Sequence, residues 1–361
     1  MDSTMEGGQD GGQESGQQAH SVRNVFVFTG RGSEYFRIWI VNLLLSIITL
    51  GIYSAWAKVR REQYFHRNTL LADSAFEYHG KPLSILKGRL LVVGLLFANN
   101  ILGGLNPKLA LAMGVVFLIV TPWIICQAVR FRAWNTSWRG VRLGFTGTYA
   151  GVAKVYFLNG LLVLVTLGLA APWWLNRFQR YLVTHLRFGG EQFDSDAPTW
   201  DYYKPLLVLF AFFLAGVSVL VALFASTIYM RGASAPHAAV LSSLMFGTFI
   251  FYAGLYFIGG SYVRARLSNT LWNHTHAGPH QFESSYRARR LFWLMLTNTL
   301  AIVCTLGLFA PFAKVRMAAY RAETLALEST ASLDEFVAHQ EEYTRAIGDQ
   351  AAELLDVDLG F

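Results

Sequence analysis

Charged residues are scarce in this sequence. They make up 15% of its 361 residues, whereas a soluble domain carries about 25%. The mean hydropathy is +0.35, and hydrophobic residues reach 53%. These residues are gathered in runs long enough to cross a bilayer. The composition therefore excludes an ordinary soluble domain and indicates a polytopic membrane protein.

Ionisable side chains are almost absent from the apolar runs. Buried acids, lysines and histidines are what mark proton relays and ion paths in membranes. Catalytic dyads and triads also require ionisable groups gathered in a pocket. We therefore expect neither an enzyme nor a transporter that uses a buried acid as proton relay.

Cysteine is rare as well. Cys126 and Cys304 both lie in apolar runs, which argues against a disulfide framework and is typical of inert, buried thiols. His274, His276 and His280 lie within seven residues, and such a set can bind zinc. They occupy a loop with Gly and Pro, and the repeats described below have no equivalent histidines. We therefore expect surface histidines, no metal site and no cofactor.

Both ends of the chain lack an apolar run. Residues 1–22 are rich in Gly, Gln, Ser and acids, lack the apolar core of a secretory signal peptide and are expected to be a disordered tail. Residues 323–361 are expected to be an acidic cytoplasmic tail, either docked on basic loops or solvated. The net charge of +7 comes from Arg and Lys beside apolar runs. That placement favours membrane topology signals and anionic-lipid contacts over nucleic-acid binding.

One stretch is present three times. Each copy has an Asn, a Thr-Leu-Gly that begins seven residues later, and then an aromatic, an Arg and a Tyr at constant offsets. Constant offsets indicate an internal repeat. Its polar residues are Asn42, Thr49, Asn159, Thr166, Asn298 and Thr305. Its glycines, Gly51, Gly168 and Gly307, are candidate helix breaks, because Gly accepts backbone angles that other residues avoid.

The Asn and Thr of each copy lie on one helical face, two turns apart. One interpretation is hydrogen bonding between helices, worth about 0.6 kcal/mol on average in membranes. The other is that the three faces converge on a polar site near the middle of the membrane, framed by broken helices as in repeat-built transporters. Both remain open, because pseudo-symmetric packing would also repeat the residues.

Seven apolar stretches, 37–56, 89–105, 109–129, 152–174, 205–229, 239–259 and 291–313, are separated mostly by basic loops. Basic loops stay in the cytoplasm, yet the first, fourth and seventh stretches have basic residues at both ends. These three are the copies of the repeat. One hypothesis is that each copy enters from the cytoplasm, breaks at Thr-Leu-Gly and returns. The alternative is seven ordinary crossings with one or two Arg-rich loops outside.

A second pattern also recurs, since Arg130-x-Arg132-x-x-Asn-Thr-x-Trp138 is matched by Arg264-x-Arg266-x-x-Asn-Thr-x-Trp272. Trp and Arg at the bilayer surface anchor helices, and Arg can also bind phosphate headgroups. The candidate lipid-headgroup residues are therefore Arg130, Arg132, Trp138, Arg264, Arg266 and Trp272. The expected partners are the bilayer and its anionic lipids.

Several of these motifs resemble the YjgN/DUF898 family of bacterial inner-membrane proteins. They are Tyr35-Phe36, Trp39, Asn42, and the stretches 49–60, 135–140 and 305–316. The likeness covers about residues 24–361. It implies a multi-pass protein of the bacterial cytoplasmic membrane, and it supplies no activity and no site residue.

The sequence thus predicts an all-α polytopic membrane protein with internal pseudo-repeats. We expect about 4–7 membrane helices with reentrant elements, and small cytoplasmic β-hairpins where short runs alternate. Residues 23–322 would form the membrane domain, with repeat elements near 28–80, 145–195 and 282–322 and both termini in the cytoplasm. The expected function is transport or movement of a small or lipid-like solute. The alternative is a non-catalytic membrane-organising protein that binds anionic lipid or a protein partner.

Overall fold

The computed structural model describes residues 22–231 and 237–344. Its strands are β1 (Val22–Val25), β2 (Val27–Phe28), β3 (Thr69–Leu71), β4 (Ser74–Tyr78), β5 (Thr136–Trp138), β6 (Val141–Phe145), β7 (Leu186–Phe188), β8 (Glu191–Ser195), β9 (Thr275–Ala277), β10 (His280–Ser284) and β11 (Leu325–Ser329). Its helices are α1 (Gly32–Ile48), α2 (Ser54–Arg67), α3 (Pro82–Leu105), α4 (Pro107–Trp134), α5 (Tyr149–Ala153), α6 (Asn159–Val165), α7 (Ala171–Thr184), α8 (Thr199–Arg231), α9 (His237–Gly254), α10 (Gly260–Asn273), α11 (Ala288–Cys304) and α12 (Ala310–Glu323). One π-helical turn, Lys154–Leu158, joins α5 to α6, and another, Leu255–Gly259, joins α9 to α10.

The strands form one antiparallel sheet that closes into a barrel. Its order is β1-β11-β10-β9-β8-β7-β6-β5-β4-β3-β2. β1 pairs with β11 and β2 pairs with β3, although β1 and β2 are successive parts of one stretch. Between them, the N–H of Phe26 donates to the carbonyl of Leu325 at 3.1 Å. A single segment therefore holds both ends of the sheet, and neither end is left as an unpaired edge.

The prediction of an all-α protein is therefore wrong. The alternating runs in the sequence do form strands, but the strands join into one barrel instead of separate hairpins. Each strand has only two to five residues, which is too short for hydrophobic periodicity to identify securely. Neighbouring strands also come from distant parts of the chain, as where Phe76 lies opposite Trp138. Residues 325–329, within the segment assigned to the C-terminal tail, form β11.

Five units of the same topology follow one another around the barrel. In each unit a strand leads into a helical hairpin, which returns to the neighbouring strand. The paired strands are β2 with β3, β4 with β5, β6 with β7, β8 with β9, and β10 with β11. Because the sheet is antiparallel, all five helical hairpins leave from the same end of the barrel.

Three of the hairpins are short, and they are the three copies of the repeat. Each has an outward limb of 17 residues, a turn of five residues at Thr-Leu-Gly, and a return limb of 14 residues. The limbs are α1 and α2, then α5–α6 and α7, then α11 and α12. Seventeen helical residues extend about 26 Å, which is less than the roughly 30 Å of bilayer hydrocarbon. Both limbs of each repeat also connect to barrel strands, so each copy leaves and returns at the same end of the barrel.

The other two hairpins are long. Their limbs, α3 with α4 and α8 with α9–α10, contain the four segments of the described chain that are long and apolar enough to span a membrane. These segments are Pro82–Gly104, Lys108–Trp134, Thr199–Ser226 and Leu241–Asn273. Long and short hairpins alternate along the chain. Neighbouring hairpins pack through α2 and α3, α4 and α5, α7 and α8, α10 and α11, and finally α12 and α1, which closes a ring of helices below the barrel.

Candidate functional site

The interior of the barrel is an apolar cavity of about 270 Å³, which we call the chamber. Side chains from strands all around the barrel line it, including Phe26, Leu71, Phe76, Trp138, Leu143, Phe188, Phe193, Ala277, Phe282 and Leu327. No Asp, Glu, Lys or Arg of the described chain is among the lining residues. The chamber can therefore hold an apolar molecule but offers no ion pair to a charged one.

Period-two alternation along the strands produces this lining. On β6, buried Val141 and half-buried Leu143 point inward while exposed Arg142 points outward. Trp138 is one of two tryptophans that line the chamber, and the centroid of its ring lies 6.2 Å from that of Phe76. Its Nε1–H donates to the carbonyl of Ser74 at 3.2 Å, so the indole is buried with its polar atom satisfied.

Residues 333–344 are helical and close the chamber at the end away from the hairpins; we call them the cap helix. Phe336 of the cap helix stacks on Phe188, with ring centroids 6.0 Å apart. Asp334 pairs with Arg139 at 2.5 Å, and Gln340 Oε1 accepts a hydrogen bond from the N–H of Gly190 at 2.8 Å. The opposite end is lined by Val183 of α7 and by Leu271 and Trp272 of α10, close to the C-terminal ends of these helices. The chamber is thus capped on one side and faces the helix ring on the other.

His280 is the only titratable residue in the chamber wall within the described chain. It is 1% exposed, and neither ring nitrogen has a hydrogen-bond partner. Burial lowers the pKa of this imidazole below its usual value, so the ring is neutral at pH 7. The rings of His280 and Phe336 are nearly perpendicular, with centroids 4.6 Å apart. An unpaired imidazole therefore lies directly beneath the cap helix.

His274 and His276, which the sequence groups with His280, do not line the chamber. His274 Nδ1 lies 2.9 Å from the carbonyl of Thr270, and His276 Nε2 lies 3.6 Å from Asp196. The described residues contain no group of three side chains able to hold a metal ion.

A second cavity, of about 520 Å³, lies between α2 and α12 and is called the basic pocket. Its charged residues are Arg61, Glu62, Lys314 and Arg321. Burial lowers the pKa of Lys314, and the positive charge of Arg61 lowers it further. Phe26 and Leu325 line both this pocket and the chamber. The two cavities therefore adjoin each other at these two residues.

The repeated threonines complete their own turns. Thr49 Oγ1 donates to the carbonyl of Leu45 at 2.7 Å and accepts from the N–H of Tyr53 at 2.9 Å. The same two bonds recur at Thr166, to Leu162 and Ala170, and at Thr305, to Ala301 and Phe309. Each hydroxyl satisfies an N–H at the start of the return helix, where no intrahelical acceptor exists.

The glycines of the repeat adopt a backbone conformation that the turn requires. Gly51, Gly168 and Gly307 have φ values of +90°, +93° and +95°, in the left-handed region that only Gly enters freely. The preceding leucines, Leu50, Leu167 and Leu306, have φ values of 50°, 52° and 49°, which cost an ordinary residue about 1–2 kcal/mol. Their side chains are 94%, 93% and 95% exposed. Each short hairpin therefore has at its tip a leucine with a strained backbone and an almost fully exposed side chain.

The repeated asparagines are not brought together. Asn298 Oδ1 accepts from Arg316 within its own hairpin at 2.7 Å, Asn42 is buried with its Oδ1 unpaired, and Asn159 is half-buried in α6. Their hairpins leave the barrel between β2 and β3, between β6 and β7, and between β10 and β11, so they are spread around the ring.

The Arg and Trp motif divides between two environments. Arg130, Arg132, Arg264 and Arg266 are exposed on α4 and α10, and Arg130 Nη2 donates to the carbonyl of Gly147 at 2.9 Å. Trp138 lies on β5 and Trp272 on α10, and both line the chamber. The two copies are not equivalent in space, because β5 starts two residues before Trp138 whereas β9 starts three residues after Trp272. Sequence reasoning missed the chamber itself, although the aromatic residues in its short strands were a signal.

Residues 23–354 match the family model described as "Bacterial protein of unknown function (DUF898)". The chain belongs to the DUF898 family. "Inner membrane protein YjgN" of Salmonella typhimurium strain LT2 is 23% identical over 83% of this chain and 87% of its own length. "Inner membrane protein YjgN" of Escherichia coli O157:H7 is 31% identical over 40% of this chain and 36% of its own. No solved structure matches the chain. With its four apolar helices, this DUF898 protein is an inner-membrane protein like those relatives.

Proposed function

We propose that this protein binds an apolar, lipid-like molecule in the chamber and moves it between the inner membrane and the barrel. The observation that supports the proposal most directly is the chamber itself, an uncharged cavity of about 270 Å³ with an aromatic wall. A cavity of about 150 Å³ lined by apolar residues holds benzene, so this one has room for roughly ten carbon atoms. A sugar or an ion would lose its hydration there, and no charged side chain of the described wall would replace it.

The position relative to the membrane supports the same function. The turns of the long hairpins carry Lys108 and Arg231, only two of the 30 Lys and Arg residues. By the positive-inside rule, those turns are periplasmic, while the barrel and both termini are cytoplasmic. The four long limbs then make a multi-pass protein, and the helix end of the chamber faces the bilayer.

The short hairpins fit this placement as reentrant elements. Leu50, Leu167 and Leu306 at their tips would expose almost their entire side chains to water in a soluble protein. In hydrocarbon the same exposure is favourable, since roughly 25 cal/mol is gained for each Å² of apolar surface removed from water. The internal Thr bonds satisfy the turn without water, which a bilayer requires.

A photoactivatable fatty acid tests the binding. After illumination of the protein in lipid nanodiscs, mapping the adducts by mass spectrometry should find them on chamber residues such as Phe188 and Phe336. Ala277→Phe adds a ring inside the chamber and should reduce this labelling at least fivefold. Gln281→Phe adds the same ring on the outward face of the adjacent strand β10 and should leave labelling unchanged. Adducts confined to the outer surfaces of the membrane helices would refute binding in the chamber.

Movement is tested with vesicles that hold a fluorescent fatty acid. Proteoliposomes of the native protein should transfer it to an acceptor in solution faster than those of the Ala277→Phe variant, with Gln281→Phe as the control. Equal rates for all three would leave the chamber as a binding site without a part in movement.

A membrane-organising role is the second candidate, and it is favoured by one specific observation. Arg130, Arg132, Arg264 and Arg266 are all exposed on the two long hairpins, where each Arg near an anionic surface contributes about 1 kcal/mol. Changing all four to Gln should weaken retention of anionic lipid during purification while fatty-acid labelling of the chamber persists. Loss of labelling in that variant would argue against two separate roles.

A further inference from the structure

The basic pocket has an excess of positive charge facing one space. Arg61, Lys314 and Arg321 are cationic, and Glu62 is the single acid in the wall. Glu62 is already engaged by Arg61 at 2.8 Å. Neither Lys314 nor Arg321 forms an ion pair with any residue of the described chain. Two cationic side chains are therefore available to an anionic group in the pocket.

The cationic side chains lie on two helices, α2 and α12, that line the same pocket. On α12, Lys314, Met317, Ala318 and Arg321 follow the spacing of one helical face, and all four line the pocket. Phe65 and Met317 form an apolar part of the same wall, beside the shared residues Phe26 and Leu325. A polar, cationic region therefore continues into an apolar region that adjoins the chamber.

We propose that the basic pocket binds the phosphate group of an anionic amphiphile whose apolar chain enters the chamber past Phe26 and Leu325. This inference rests on the proposed function and assigns its substrate class. Lys and Arg are the side chains that bind phosphate oxygens through charge-assisted hydrogen bonds. A molecule held in this way has its charge outside the barrel and its chain inside, which agrees with the uncharged wall of the chamber.

The test uses the full-length protein in a neutral detergent and the double variant Lys314→Gln/Arg321→Gln. Native mass spectrometry measures binding of short-chain phosphatidylglycerol, and calorimetry measures binding of inorganic phosphate. Arg142→Gln/Arg187→Gln, on strands β6 and β7 of the barrel, removes the same charge away from the pocket. Each cation near an anionic headgroup changes affinity by about a factor of five, so the pocket variant should bind phosphatidylglycerol about 25-fold more weakly. The control should bind within a factor of two of the native protein.

Each result decides between specific alternatives. A selective loss of phosphatidylglycerol binding, with no binding of inorganic phosphate, identifies a lipid headgroup as the source of the phosphate. If inorganic phosphate binds and this binding is lost in the pocket variant, the ligand is a free phosphate. The phosphate site is then supported, and the proposal that an apolar chain enters the chamber from it is refuted. Equal losses in the pocket variant and the control, or no loss in either, overturn the proposal.

Failure of this inference is distinguishable from failure of the proposed function. If the pocket variant loses the binding of phosphatidylglycerol while no fatty acid labels the chamber, the headgroup site is supported and binding in the chamber is refuted. If the chamber is labelled and the pocket variant binds phosphatidylglycerol normally, the chamber stands and this inference falls. The melting temperature of each variant shows whether the fold is intact.

Discussion

Thr305→Val removes one hydroxyl from the tip of the third short hairpin and keeps the shape of the side chain. In the native turn, Thr305 Oγ1 donates to the carbonyl of Ala301 at 2.7 Å and accepts from the N–H of Phe309 at 2.9 Å. The carbonyl of Ala301 keeps a partner in the variant, because the N–H of Thr305 also donates to it at 3.0 Å. The N–H of Phe309 is left without an acceptor.

The magnitude follows from that single unsatisfied donor. An N–H that loses its partner away from water costs about 1–3 kcal/mol. The upper end is expected for the reentrant placement proposed above, where no water can replace the hydroxyl. The same loss at Thr49 and Thr166 should be of equal size. Because the three tips are separated around the ring, the triple variant should lose about three times as much.

Thr121→Val is the matched control. Thr121 Oγ1 donates to the carbonyl of Phe117 at 2.7 Å, which is the same backward bond within a helix. No backbone N–H depends on Thr121, so its replacement should change stability by less than about 0.5 kcal/mol. Unfolding by denaturant in mixed micelles, followed by tryptophan fluorescence, measures the free energy of unfolding of both variants.

One result would refute this reasoning. If Thr305→Val is no less stable than Thr121→Val but fatty-acid movement falls selectively, the repeated threonines act in solute passage and not in closing the turn. A stability loss with a proportional loss of function is what a structural role produces.

Three other predictions follow from the barrel and its orientation. Trp138→Ala should destabilise the protein by about 3–5 kcal/mol, because it removes a buried indole from the chamber wall; thermal unfolding in detergent measures this, and a change below about 1 kcal/mol would contradict it. Burial lowers the folded-state pKa of His280, so below about pH 6.5 the unfolded chain binds a proton that the folded chain does not, and stability falls as the pH falls. His280→Gln should therefore lose part of the difference in melting temperature between pH 7.5 and pH 5, and an unchanged difference would contradict this. In intact cells of a cysteine-free variant, a cysteine at Lys108 should react with an impermeant maleimide and a cysteine at Asp73, on the β3–β4 turn, should not; the opposite pattern would place the barrel in the periplasm.

The sequence was sufficient to locate the short hairpins, because their information is local. Thr-Leu-Gly contains the hydroxyl that caps the return helix and the Gly that takes the left-handed φ. Basic residues at each end of the repeat favoured the hypothesis that both ends lie on one side of the membrane, and in the structure both ends connect to the same end of the barrel. The role of Thr49 could not be decided in the same way, since a hydroxyl that bonds four residues backward and four residues forward has the same sequence pattern as one that faces a ligand.

The barrel could not be predicted, because the strands that pair in it are short and lie far apart in the sequence. β2 has two residues, and Val22 of β1 pairs with Ser329 of β11, at the far end of the described chain. No window along the sequence contains both partners. A trace of the chamber was nevertheless present: Phe76 and Phe193 each follow a repeat Asn by 34 residues, and both turn out to line the chamber. The basic pocket was missed because Arg61 and Lys314 lie in different copies of the repeat, and only the ring of helices makes them neighbours.

The pairing of the segment Val22–Phe28 also determines when the barrel can close during biosynthesis. It leaves the ribosome first among the strands, yet its partner β11 ends at Ser329, about 300 residues later. At about 5–20 residues per second, the first strand waits roughly 15–60 s for its partner. During that interval the helical hairpins can enter the membrane one after another while the growing sheet keeps two open edges. The last strand to be translated therefore seals the barrel, and a nascent chain that stops before β11 carries exposed strand edges that quality-control proteases and chaperones can recognise.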